Sequence, residues 1–299
     1  MKKTLFIAAL AALLLGAGCA NQTTPNSPLT AQRLKVAATI FALADIAQNV
    51  GGDRADVMTL LPPGASPHTF EPTPDLIKKL QDAKILFMIG HGLDDWAVTL
   101  AQSVPGLTLV VVDTGIKLRA PGSAPAIGFH DEDGQTDPHY WLDAGNGQKI
   151  AATIADNLER SDPDNAAAYR ENLAKYQNQI AHTDETIRDL LKPHAGAKLI
   201  SHHDAWQYFA AAYGLVIAGS FEPSPGKNLT PKELAALEDL IRKEKIKTLF
   251  IEPQLSNQIV KPVADDLKLN IRKLDPEGGT AKSYLDLMET NARTIAESL

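Results

Sequence analysis

Residues 163–193 read PDNAAAYRENLAKYQNQIAHTDETIRDLLKP. Between the two prolines, Tyr169, Leu173, Tyr176, Ile180, Ile187, Leu190 and Leu191 recur three, four or seven positions apart with no Gly or Pro among them. That spacing puts the apolar residues on one face of an uninterrupted helix over about 164–191. At 1.5 Å per residue such a helix is about 40 Å long, enough to run along two domains and join them.

On its N-terminal side, short apolar runs alternate with amphipathic stretches. Strands are expected at 34–40, 55–61, 84–90 and 107–113, and helices at 41–50, 74–81 (with Thr73 as cap), 93–103 and 145–160. On its C-terminal side the rhythm resumes. Strands are expected at 198–201, 215–219, 248–251 and 271–274, and helices at 205–213, 231–243, 258–267 and 281–297. Thr230, with Glu233 three residues on, forms a capping box for the helix at 231–243. Strands alternating with helices build parallel sheets. The expected fold is therefore α/β: two α/β lobes with parallel sheets joined by one long backbone helix. The N-terminal lobe spans 33–162, the connecting helix 163–193 and the C-terminal lobe 194–299. Ligands of parallel sheets bind beyond the carboxyl ends of the strands, so the cleft between the lobes is the expected site.

Composition narrows the function. The 299 residues carry a formal net charge of −7 and contain one cysteine, Cys19. A mildly acidic chain without a basic cluster is a poor nucleic-acid binder. A single cysteine excludes intramolecular disulfides and thiolate metal clusters. Residues 1–18 combine Lys2 and Lys3 with an apolar run from Leu5 to Leu15 and the small residues Gly16, Ala17 and Gly18. This reads as a signal peptide, too short to span a bilayer. Cys19 directly after it resembles a bacterial lipobox, although Gly16 stands where that motif usually has Leu. Cys19 is thus the expected lipid attachment point, and residues 19–32 a lipid-anchored flexible tether. The expected location is extracytoplasmic, on a bacterial membrane.

Eight histidines remain to be placed. His68 lies in LLPPGASPHTFEP, His139 in DPHYWLD and His203 in LISHHDAW, each at a junction between elements, where function concentrates on α/β folds. Asp275, in RKLDPEGG, has the same placement after the last strand. Imidazoles and a carboxylate converging from separate loops suit Zn2+ or another borderline divalent metal.

These segments, in this order, resemble the bacterial zinc/manganese solute-binding lipoproteins of ABC importers (solute-binding protein family 9), over nearly the whole chain after Cys19. The resemblance implies a metal held between two lobes by His68, His139, His203 and Asp275. It implies an ABC permease and its ATPase as partners, a monomer anchored through Cys19, and no enzymatic step. Manganese binders of that family tend to carry Glu where this chain has His203, so Zn2+ is the expected cargo and Mn2+ (or iron) the alternative. His202 and His203 point in opposite directions on an extended strand, which leaves one of them for the metal; the family's His-Asp-Ala order selects His203. Glu252, in FIEPQ, either orients a ligand histidine from behind or serves as a surface or capping carboxylate. His130, in an acidic loop over 117–136, is either a weak metal-collecting group or part of a solvated loop. Asp143 precedes Ala144 where the family usually has Pro. Two other functions compete: a zinc-dependent hydrolase and a metal-stabilised adhesin. The hydrolase needs an open coordination position, which Asp275 would close.

Overall fold

A computed structural model describes residues 33–122, 136–222, 228–258 and 260–299. The signal peptide, Cys19, the tether and His130 with its acidic neighbours lie outside these residues. Among the described residues no helix is long and apolar enough to cross a membrane.

The first sheet has four parallel strands, β1 (Leu34–Ala38), β2 (Ala55–Thr59), β3 (Ile85–Met88) and β4 (Thr108–Val111), in the order β2-β1-β3-β4. Helices α1 (Phe41–Gly51), α2 (Pro74–Leu80) and α3 (Trp96–Gln102) connect them, and α4 (Ala144–Ser161) follows. The connector α5 (Ala166–Leu191) is a single helix of 26 residues. Beyond it, β5 (Lys198–His203), β6 (Val216–Glu222), β7 (Thr248–Ile251) and β8 (Asn270–Lys273) form a second parallel sheet in the order β6-β5-β7-β8. Helices α6 (Gln207–Tyr213), α7 (Pro231–Glu244) and α8 (Val260–Leu267) join these strands, and α9 (Tyr284–Ala296) closes the chain. The α/β class, the parallel sheets and the joining helix are those expected.

Local chemistry explains the differences. Thr73 does not cap α2 with its side chain; its backbone carbonyl accepts from Leu76 N–H at 3.0 Å instead. The last helix begins at Tyr284 rather than at 281, because the Ser283 side chain accepts from Asp286 N–H and sets the cap there. Strand β5 extends two residues further than expected, pairing His203 with Glu222 of β6, and so carries both His202 and His203 inside the sheet. Leu190, expected on the buried face of α5, is exposed. The capping box at Thr230 and Glu233 is present.

The two sheets share one hydrophobic core. Tyr169, Tyr176, Ile180, Ile187 and Leu191 of α5 are buried in the same cluster as Leu43 and Ile46 of α1, Trp141, Phe209, and Tyr284 and Ile295 of α9. Separate clusters sit under the outer helices of each lobe. A shared, close-packed core resists wide hinge opening, because opening would expose it. Gly147 in α4 shows how tight the join is: a Cβ there would stand 2.5 Å from the Tyr284 hydroxyl oxygen, which itself donates to the Trp141 carbonyl at 2.7 Å. Gly147→Ala is therefore expected to destabilise the protein by about 1–3 kcal/mol through overpacking, despite alanine's better helix propensity. Thermal unfolding measures it; an unchanged or raised midpoint contradicts the close approach.

Candidate metal centre

Three histidines meet in space from three separate segments. His68 sits in a short 3-10 turn, Pro67–Thr69, beyond β2. The Pro67 carbonyl accepts from the Trp96 indole N–H at 3.0 Å, which pins the turn to α3. His139 immediately precedes the 3-10 turn Tyr140–Leu142 at the foot of α4. There the Tyr140 hydroxyl donates to the Ile89 carbonyl at 2.8 Å. The Trp141 indole N–H donates to the Pro276 carbonyl at 3.0 Å, tying this turn to the segment after β8. His203 is the last residue of β5, the strand between β6 and β7.

His139 Nε2 lies 3.1 Å from His68 Nε2 and 3.2 Å from His203 Nε2. One ligand atom from each of the three lies within 4.8 Å of the others. Four donors arranged tetrahedrally about an ion 2.0–2.1 Å from each nitrogen stand roughly 3.3 Å apart, so the spacing fits a shared cation. His139 and His203 are almost wholly enclosed, at 4% and 3% exposure, and His68 is half-buried.

Each enclosed imidazole has a carboxylate behind it. Asp137 Oδ1 is 2.8 Å from His139 Nδ1 and also accepts from the His139 backbone N–H at 2.9 Å. Glu252 Oε2 is 2.7 Å from His203 Nδ1, and its Oε1 accepts from the Trp206 indole N–H at 3.3 Å. A carboxylate on Nδ1 keeps the proton there and turns the Nε2 lone pair towards the shared centre. Glu252 is buried against His203 and is not a surface carboxylate.

Electrostatics distinguishes the three rings. Burial, with the His139 and His203 charges, holds His68 down to about 2. Burial, followed by the His203 charge, holds His139 well below its ordinary value. Burial works against charge on His203 as well, but Glu252, through its charge and hydrogen bond, with Asp204 and Asp137, outweighs it and raises His203 above the usual 6.5. Two rings thus favour the neutral, lone-pair-bearing form, while His203 keeps a second proton to higher pH than an ordinary imidazole.

Asp275 is not one of the three converging residues. Its Oδ1 accepts from Gln254 Nε2 at 2.6 Å and from the backbone N–H groups of Glu277 and Gly278, both at 3.0 Å. Its Oδ2 accepts, among the described residues, from Gly279 N–H at 2.8 Å. Buried Asn291 of α9 clamps its backbone on both sides, donating to the Asp275 carbonyl and accepting from its N–H, each at 2.9 Å. Gly278, at φ 69°, makes this turn possible; a Cβ there would also strike Phe41 and Leu287. The carboxylate is held by these four hydrogen bonds, three on Oδ1 and one on Oδ2 among the described residues.

The other histidines are elsewhere. His202 is buried beside Glu222, its Nδ1 accepting from Glu252 N–H at 3.4 Å. His91 pairs with Asp113 at 2.9 Å, His182 is exposed and His194 half-buried at the end of α5. Asp137, Gln254 and Asn291 went unnoticed in the sequence. Asp137 had a local signal, an acidic residue two positions before a candidate ligand; Gln254 and Asn291 reach Asp275 only through tertiary packing.

The ZnuA family model, described as "Zinc-uptake complex component A periplasmic", matches residues 36–298. The manganese ABC transporter substrate-binding lipoprotein PsaA of Streptococcus mitis is 30% identical, covering all of this chain and 99% of its own length. The manganese-binding lipoprotein MntA of Halalkalibacterium halodurans is 28% identical over the same shares. Among solved structures, the crystal structure of ZnuA superposes with a TM-score of 0.79 at 26% identity, covering 89% of this chain and 99% of that one. With two parallel sheets joined by one helix, three histidines gathered between them, and a family match over nearly the whole described chain, the protein belongs to the ZnuA family of metal-binding components of ABC importers.

Proposed function

We propose that this protein captures Zn2+ outside the cytoplasm and delivers it to the permease of an ABC importer, acting as a binding component and not an enzyme. The observation that carries this reading is the convergence of three Nε2 atoms from segments belonging to both lobes. His68, His139 and His203 would hold the ion, and Asp275 would complete the set through Oδ2, the oxygen that accepts a single hydrogen bond. Cargo bound by both lobes favours the joined arrangement, which gives a permease something to distinguish from the empty protein. Acylated Cys19 would keep a monomeric protein at the membrane beside that permease and its ATPase.

Three imidazole nitrogens and one carboxylate favour zinc over harder Mn2+, which prefers oxygen donors. The manganese reading has support of its own in the names of relatives at 28–30% identity. Calorimetric titration of the metal-free protein with each ion decides between them. One zinc per chain, bound at least about tenfold more tightly than manganese, is the expected result, a gap of about 1.4 kcal/mol. Equal or tighter manganese binding overturns the zinc assignment.

A further inference from the structure

We propose that Tyr208 of the second lobe is a positioning residue, which sets the orientation of His139 in the first lobe through Arg119 and Asp137. The inference rests on the reading that His139 is a metal ligand oriented by Asp137. Three hydrogen bonds run in series. Arg119 N–H donates to the Tyr208 hydroxyl oxygen at 2.8 Å. The Arg119 carbonyl accepts from Asp137 N–H at 2.9 Å. Asp137 Oδ1 is 2.8 Å from His139 Nδ1. Tyr208 lies in α6, the helix that follows His203. The series therefore begins in the element after one histidine of the cluster and ends on another, contributed by the other lobe.

Asp137 depends on its backbone bond. Its Oδ1 engages the two His139 N–H groups, and its Oδ2 is buried without a hydrogen-bond partner among the described residues. No third group fixes the carboxylate, so its place follows from its backbone, which is tied to Arg119. A group that orients a ligand works only as well as it is itself held.

Arg119 in turn lies in a strap, residues 117–122, that carries no helix or strand. Its attachments are to α6 and the turn before it. Gly122 N–H donates to the Asp204 carboxylate, and a Cβ on Gly122 would collide with the Gln207 side chain. The Arg119 guanidinium stands 5.8 Å from the centre of the Tyr208 ring. The same ring meets Tyr140, the residue after His139, edge to face at 6.5 Å between centroids. Tyr208 thus reaches both sides of His139 along the chain, Asp137 through the strap and Tyr140 by direct contact. A phenylalanine would serve the packing alone. The hydroxyl adds the acceptor that fixes Arg119, whose N–H would otherwise lose its partner.

The consequence is alignment across the lobes: the lobe that carries His203 also sets the ring of His139. The test measures zinc affinity by chelator competition in wild type, Tyr208→Phe, Asp137→Asn and the double variant. Tyr208→Phe should weaken zinc by about tenfold, the lower end of what outer partners of metal ligands contribute. In the Asp137→Asn background the same change should cost no more than about twofold, because the route to His139 is already cut. The downfield NMR signal of the His139 Nδ1 proton should shift in Tyr208→Phe. Hydrogen exchange on the unaltered protein needs no variant: the Arg119 and Asp137 amides should be protected together. An unchanged zinc affinity in folded Tyr208→Phe, equal losses in both backgrounds, or an unprotected Arg119 amide overturns the proposal. Asp137→Asn separates the two levels. If it leaves zinc affinity intact, Asp137 orients no ligand and the reading beneath fails. If it weakens zinc while Tyr208→Phe changes nothing, only the role of Tyr208 falls.

Discussion

His139→Ala should lower zinc affinity on the order of a thousandfold, about 4 kcal/mol. His139 is the hub of the cluster: its Nε2 faces both His68 and His203, at 3.1 and 3.2 Å. Its removal takes away a donor and also leaves Asp137, a buried carboxylate, without the imidazole that faces it. The remaining nitrogens then belong to different lobes with nothing between them. By contrast, Asp137→Asn keeps an acceptor for the His139 N–H groups but loses the charge, and should cost only the ten- to hundredfold typical of groups that orient a ligand. Competition against a chelator of known affinity measures both. A His139→Ala protein that binds zinc within tenfold of wild type removes His139 from the site.

The second large effect is on pH. Zinc needs the neutral form of each imidazole. His68, held down to about 2, and His139, held lower than its ordinary value by burial, have no proton to lose near neutrality. His203 is raised above 6.5, so below that raised value a proton competes with the metal for its Nε2. Asp137, pushed up to about 7 chiefly by burial and only partly offset by the His139 N–H and the His203 and Arg119 charges, takes up its proton as pH falls through about 7 and withdraws its charge from His139. Both effects have one sign: affinity is full above these values and is lost as pH falls through them. The expected slope is between one and two decades of affinity per pH unit below pH 6.5, flattening once pH exceeds both about 7 and the raised His203 value. Three exposed histidines of ordinary pKa would instead titrate together around 6.5 and approach three decades per unit. A slope near three, or none below pH 6.5, rules out this division of roles.

The histidines show where a one-dimensional reading suffices and where it stops. His68, His139 and His203 were legible because each stands at the end of an element, and element ends follow from local periodicity and turn chemistry. That His202 and His203 do not both face one metal followed from the alternation of side chains along an extended strand, while the selection of His203 came from the family resemblance; β5 carries both residues. Asp275 stands after the final strand as the sequence places it, yet its sequence neighbourhood says nothing of the four hydrogen bonds that hold its carboxylate. Thr73 misled for a related reason. Its side chain had the right identity for a cap, but the backbone carbonyl met the same N–H first.

The amino-acid order alone therefore determined the two βα series, the helix that joins them, the residue types able to hold a metal and the exclusion of thiolates. These are properties of neighbours along the chain, set by backbone sterics, capping and the period of apolar residues. Tertiary structure alone decided that His139 Nε2 lies 3.1 and 3.2 Å from the Nε2 atoms of His68 and His203, that Asp137 and Glu252 stand behind two of the rings, and that Gln254 and Asn291 hold Asp275. Those contacts join residues as far apart as His68 and His203. Only the packing of both lobes against one shared core brings them together, and the same packing strips water from the rings and separates their proton affinities.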